Sequence, residues 1–245
     1  MDRTVSVFGG LALAASLIAC SGVGGGNAAP SNASTAVPAS PSVHTAGRGT
    51  GLMTGSQLKV LLLGEQDMPS GFRLNPKWAA DSGGTPYPPL SATPTAPSAR
   101  QCDRLTGAPW LPAAGLSPTS FAANGYRDVY RNEIDQMVAV YPRAGLGESV
   151  MTNLAKLFTL CSSFTSTSSG QRMRMTLKRS AGPVVGDGSI KAVMTSSIWQ
   201  GGETLVAIRV GNAVASVSCI SADSDRGAGA VTLATKLAAR LDATQ

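Results

Sequence analysis

The rhythm of hydrophobic and polar positions divides this chain into three stretches. From Val5 to Ala19 the chain is apolar and carries no charge. That run is shorter than the about 20 residues of a membrane-spanning helix and suits the apolar core of a secretory signal. From Ser21 to about Gly55 there is no periodicity. The residues are mostly Gly, Ala, Ser, Thr, Pro and Asn, and Arg48 is the only formal charge. Such a segment buries too little apolar area to offset its ordering entropy, so it reads as a flexible linker. As a random coil, about 35 residues span roughly 30–35 Å.

Periodicity begins after the linker. Ser56 is a plausible N-cap for a helix from Gln57 to Leu63, with Leu58, Leu61 and Leu62 at helical spacing. The breaker Met68-Pro69-Ser70-Gly71-Phe72 hands the chain to an extended piece ending near Trp78. A Pro- and Gly-rich loop follows over 81–98, then a short helical stretch with Cys102 and Leu105. Two strands are expected over 119–131 and 133–141, and then an amphipathic helix from Leu146 to Phe164. Its stripe of Val150, Leu154, Leu157, Cys161 and Phe164 recurs at steps of three and four.

Strict alternation returns over Arg172–Lys178, with Met173, Met175 and Leu177 on one face. Gly201-Gly202 and Gly211-Asn212 mark hairpin turns between Ile190–Trp199, Thr204–Val210 and Ala213–Ile220. A last amphipathic helix starts near Asp225, with Val231, Ala234, Leu237, Ala238 and Leu241 inward. The expected fold is α+β: a single domain over 56–245, with an antiparallel sheet of five to six strands and helices packed on one face.

Leu17-Ile18-Ala19-Cys20 closes the apolar run. It resembles the signal of bacterial lipoproteins, in which the cysteine thiol takes a diacylglyceryl group and cleavage makes that cysteine the first residue. The resemblance implies a signal peptide over 1–19, then a lipidated Cys20 with its linker over 20–55. Two acyl chains of the palmitate type, at about 0.8 kcal/mol per buried methylene, suffice for stable anchoring. The expected address is the extracytoplasmic face of the cell membrane.

Composition narrows the chemistry. Aromatic residues make up 5% of the chain, so the core rests on aliphatic residues and Met. The net charge is +6. Arg3 cancels Asp2, and Arg48 belongs to the linker, leaving about +5 on the domain, a mild attraction to anionic envelope surfaces. No basic helix, zinc spacing or aromatic-basic platform suggests nucleic acid. The only histidine, His44, lies in the linker, so no Ser or Cys triad with a histidine base forms in the domain. Gly-X-Ser-X-Gly is absent. Glu133 and Asp135 share a strand face, but nothing in the sequence raises the pKa of either, and Asp187-Gly188 reads as a turn. No enzyme activity, catalytic residue, metal site or cofactor is expected.

Two surfaces remain open to either a structural or a functional role. Arg172, Arg174 and Lys178 read first as a solvated strand face whose charges discourage edge pairing, and second as an anion-binding surface. Met173, Met175, Met194, Trp199 and Val206 read first as core and second as the lining of an apolar pocket.

Three short pieces carry a further resemblance. Leu61-Leu62-Leu63 with Asp67-Met68-Pro69-Ser70-Gly71-Phe72, then Cys102-Asp103-Arg104-Leu105, then Leu160-Cys161-Ser162-Ser163-Phe164, resemble in that order the extracellular sensor domain of actinobacterial serine/threonine protein kinases and of many stand-alone lipoproteins. The resemblance covers about 56–243. It implies an α/β sandwich with a ligand-sensing cleft lined by the sheet, and a Cys102–Cys161 disulfide. Helix and strand faces alone leave Cys161–Cys219 as a rival pairing. The expected function is a non-catalytic sensor-like domain for a small-molecule, lipid or cell-wall ligand, its binding residues unassigned. The alternative is a module that docks on a membrane-protein partner of the envelope.

Overall fold

The computed structural model describes residues 52–87, 96–106, 109–168, 171–196, 201–221 and 227–244. Cys20, the rest of 1–51 with His44, positions 88–95 of the Pro-rich loop, and Trp199 lie outside them. In chain order the elements are α1 (Gly55–Leu61), β1 (Arg73–Leu74), β2 (Ala80–Asp81), β3 (Ser120–Arg127), β4 (Glu133–Val140), α2 (Ala144–Leu160), β5 (Ser163–Ser168), β6 (Gln171–Ala181), β7 (Gly188–Ser196), β8 (Gly202–Val210), β9 (Ala213–Ser221) and α3 (Ala228–Asp242). Short 3-10 turns lie over Pro76–Trp78, Ala99–Leu105 and Leu111–Ala114.

The sheet is larger than expected. Nine strands run in the order β1-β3-β4-β9-β8-β7-β6-β5, with β2 also pairing β3, and every pairing is antiparallel. β1 and β2 are two residues each, too short to show a period. β5 escaped because Cys161 and Phe164 continue the stripe of α2. In fact α2 ends at Leu160 with Cys161 as its C-cap, and Phe164 faces Met175 across the β5–β6 ladder.

Helices cover both faces of the sheet, not one. On one face α2 packs Val150, Leu154, Leu157 and Phe158 over Met137, Ala139, Met175, Met194, Leu205 and Ala207. On the other, α1 and α3 pack Leu58, Leu233, Leu237 and Leu241 over Val138, Val206, Ile208, Ala215 and Val217. Residues 204–208 and 213–217 are consequently buried at every position. A central strand covered twice reads as a nearly continuous apolar run, and Leu205-Val206-Ala207-Ile208 is one. Val206 therefore faces away from Met173, Met175 and Met194.

The first helix starts earlier than Ser56 suggests. Thr54 is the cap: the Gln57 N–H donates to Thr54 Oγ1 at 3.2 Å, and the Thr54 N–H donates to Gln57 Oε1 at 2.9 Å. This reciprocal box satisfies two donors where Ser56 would satisfy one.

Candidate functional site

A cavity of about 370 Å³ opens on the α2 face, at the end of the sheet that α2 leaves uncovered. Its lining includes Lys77, Trp78, Trp110, Glu133, Asp135 and Ser216.

One wall is built by a short detour of the chain. β1 pairs with Tyr126 and Arg127 of β3, and β2 returns to pair with Ala122 and Ala123. The turn between them is pinned by the Asn75 N–H, which donates to the Gly125 carbonyl at 2.8 Å, and by Asn75 Oδ1, which accepts from the Lys77 N–H at 3.2 Å. Trp78 is thereby carried over Gly125. A Cβ at Gly125 would run into Asp135 Oδ1 and into the Trp78 ring. Glycine is required there because the carboxyl and the indole fill the space where a side chain would be.

The opposite wall is tied to α2. Cys102 and Cys161 are disulfide-bonded, with Cα atoms 5.5 Å apart. Asn153 Nδ2 donates to the Ala114 carbonyl at 2.9 Å. Between these two ties lie Thr106, Pro109 and Trp110 of the lining. The Trp110 ring sits 6.0 Å from that of Phe158 on α2.

The floor is acidic. Glu133 and Asp135 of β4 line it, and register places Ile220 of β9 and then Glu203 of β8 in the same row as Glu133, Glu203 lying outside the lining. Arg127 Nη2 pairs with Glu133 Oε1 at 3.0 Å. Burial, with the Glu133 charge beside it, pushes the Asp135 carboxyl up to about 7. Glu203 is 1% exposed, and burial, then the charges of Asp135 and Glu133, push it up to about 8. Its Oε2 has no hydrogen-bond partner. The expectation that nothing raises the pKa of Glu133 or Asp135 is thus corrected for Asp135, because its burial and the neighbouring Glu133 charge disfavour its charged form.

The other candidate residues fall elsewhere. Cys219 is half-buried on the α3 face, across the sheet from Cys161, so the rival pairing is geometrically closed. Arg172, Arg174 and Lys178 are exposed on the face of β6 opposite Met173 and Met175, and Arg174 Nε donates to Ser163 Oγ at 3.3 Å. Met173, Met175 and Met194 are core under α2. Asp187 serves its turn, accepting from the Gly211 N–H at 2.6 Å. Sequence reasoning missed Gly125, Trp78, Trp110 and Glu203. Glu203 had one usable signal, a carboxylate directly preceding an apolar strand.

No family model matches the chain, and no curated protein does. Among solved structures, the chain is similar to the extracellular domain of PknH from Mycobacterium tuberculosis. The superposition has a TM-score of 0.62 at 16% sequence identity, and it covers 80% of this chain and 100% of that one. The two share a fold, and at that level the resemblance to an extracellular kinase sensor domain holds.

Proposed function

We propose that this chain is a lipid-anchored extracytoplasmic protein whose domain binds a small ligand, without chemistry, in the cavity between Trp78 and Trp110. The observation that carries the reading is that cavity. It is concave, it presents two indoles beside a few polar groups, and its walls are held by the disulfide and by strand pairing, as a preformed binding site requires. The extracytoplasmic address rests on Leu17-Ile18-Ala19-Cys20 and on the fold shared with an extracellular domain. The missing histidine and nucleophile set weigh against catalysis.

Native mass spectrometry of the full chain released from membranes in mild detergent tests the pocket. An adduct that is lost on denaturation and absent from Trp110→Ala supports the reading. A bare mass from cells, with no small molecule retained under any release condition, counts against it. The anchor is tested separately: Cys20→Ser is expected to abolish incorporation of radiolabelled palmitate, and retained label would refute it.

A second reading, docking on an envelope membrane protein, draws on the tip of the β3–β4 hairpin. There Val129 is 86% and Tyr130 80% exposed, and Arg131 takes a left-handed φ of 68°. Cross-linking from that tip in intact cells distinguishes the two, since a dominant protein adduct favours docking.

A further inference from the structure

The basic row of β6 gains a member from the neighbouring strand. Met173, Met175 and Leu177 point under α2, as do Ile190, Ala192 and Met194 of β7. Alternation turns Arg172, Arg174 and Lys178 to the other side. The β6–β7 register brings Lys191 to that same face, two residues along from Val193, the partner of Lys178. Among the described residues, none of β5, β6 or β7 belongs to the core that α1 and α3 cover. Arg172, Arg174 and Lys178 are exposed and Lys191 is half-buried.

Edge protection does not account for these charges. The edge strand of the sheet is β5, which carries none, while the cations stand on the second and third strands in. Nor are they neutralised. β5, β6 and β7 contain no acidic residue, and among the described residues none of the four cations forms an ion pair. Arg174 Nε donates to Ser163 Oγ, a neutral acceptor. Val184, fully exposed, stands in the turn that joins β6 to β7.

Four cations on one sheet face repel one another, and an anionic surface relieves that repulsion. A soluble polyanion would take the charges but leave Val184 in water, whereas a bilayer interface takes both. With Cys20 lipidated, about 35 linker residues hold the domain within roughly 30–35 Å of the bilayer, so the encounter is intramolecular.

We propose that the outer face of β5–β7 lies against the anionic headgroups of the membrane that holds the anchor, with Arg172, Arg174, Lys178 and Lys191 on lipid phosphates and Val184 at the interface. This rests on the anchor reading and not on the cavity. It leaves the cavity, which opens on the α2 side of the sheet, clear of the bilayer.

The test places the full lipidated chain on vesicles of phosphatidylcholine, alone or mixed with phosphatidylglycerol. Lysines are modified briefly with a water-soluble acetylating reagent and read by peptide mass spectrometry. Lys156, exposed on α2, is the internal control. On anionic vesicles, acetylation of Lys178 and Lys191 should fall at least about fivefold relative to Lys156, the bias that a single cation gains near an anionic surface. On neutral vesicles the ratio should not change. Salt at about 1 M shortens the screening length to about 3 Å and should release the protection. Arg172→Glu with Arg174→Glu should abolish it while leaving the circular dichroism spectrum unchanged. Should that variant fail to fold, the salt arm on the parent carries the test. Equal labelling of the three lysines on anionic vesicles overturns the proposal, and so does equal protection on neutral ones. Protection by soluble polyphosphate with none on anionic vesicles also overturns it and gives the face to an anionic polymer. Sedimentation with neutral vesicles reads the anchor alone, so its failure and that of the face are told apart.

Discussion

Gln136 holds both backbone groups of Leu63. Its Oε1 accepts from the Leu63 N–H at 2.9 Å, and its Nε2 donates to the Leu63 carbonyl at 2.8 Å. The Tyr126 hydroxyl donates to the same carbonyl at 2.7 Å. The chain leaving α1 is thus stitched to β3 and β4 on the face opposite α2. These same two strands supply Gly125 and Asp135.

Gln136→Leu removes both bonds and strands a buried N–H. The expected loss is about 2–4 kcal/mol, since an unmade buried hydrogen bond costs more than a made one contributes. Tyr126→Phe leaves Gln136 in place and should cost about 1 kcal/mol. Urea denaturation followed by circular dichroism measures both.

Stability should fall with rising pH on account of the Glu203 and Asp135 carboxyls. Glu203 titrates at about 8 when folded, against 4.5 as its ordinary value. The folded state therefore holds the proton more tightly. That contribution is complete below about pH 4.5 and is lost as pH rises through about 8. Asp135 adds a parallel loss ending near 7. Glu203→Gln, which cannot ionise, should be more stable than the parent at pH 9 and nearly equal to it at pH 5. The slope removed is up to about 1.4 kcal/mol per pH unit. Urea midpoints at pH 5, 7 and 9 test this, and a constant gap between the two proteins would refute it.

Asp67 should govern the acid limb. Burial pushes its carboxyl up, but the Lys236 hydrogen bond, the Gly64 N–H and the charges of Arg240 and Lys236 outweigh it and hold the group below its ordinary range. Lys236 Nζ lies at 2.6 Å and Arg240 Nη2 at 2.8 Å. The stabilisation is present above about pH 4 and is lost as pH falls through the depressed value. Asp67→Asn should lower the melting temperature at pH 7 and have little effect at pH 2, read by thermal melts at the two pH values.

Removing the disulfide should act on stability and on the cavity together. The bridge closes a loop of 59 residues, worth roughly 4 kcal/mol on the chain-entropy account. Cys102→Ser with Cys161→Ser should lower stability by up to that amount and loosen the wall that carries Trp110. Reductant should lower the melting temperature of the parent and leave that of the double variant unchanged.

Elements with a long, clean period were legible without coordinates. α2, α3, β6 and the β8–β9 hairpin at Gly211-Asn212 fall close to where their apolar stripes place them. β1 and β2 were not, because two-residue strands carry no pattern and exist through pairing with β3. The second helical layer was hidden for a related reason. Leu205 and Val206 are equally apolar, and only a helix on each face explains why both are buried.

The site was the least legible part. Asp135 and Glu133 could be placed on one strand face from their spacing, but the burial that raises Asp135 and the approach of Trp78 to Gly125 from 47 residues away in the chain could not. Glu203 comes near them only through the register of β8 on β9 and of β9 on β4.

What the sequence determined by itself is whatever rests on local chemistry: an apolar run ending in Leu-Ile-Ala-Cys, a stretch after it rich in Gly, Ala, Ser and Pro, amphipathic helices and alternating strands. What only the tertiary structure decided is whatever rests on non-local contact: nine strands among the described residues in place of five or six, a helical layer on each face, Cys102 and not Cys219 beside Cys161, and Glu133 and Asp135 in one cavity with two indoles. The physical reason is the same in each case. Periodicity says which way a side chain faces, but strand order and register decide what it meets there.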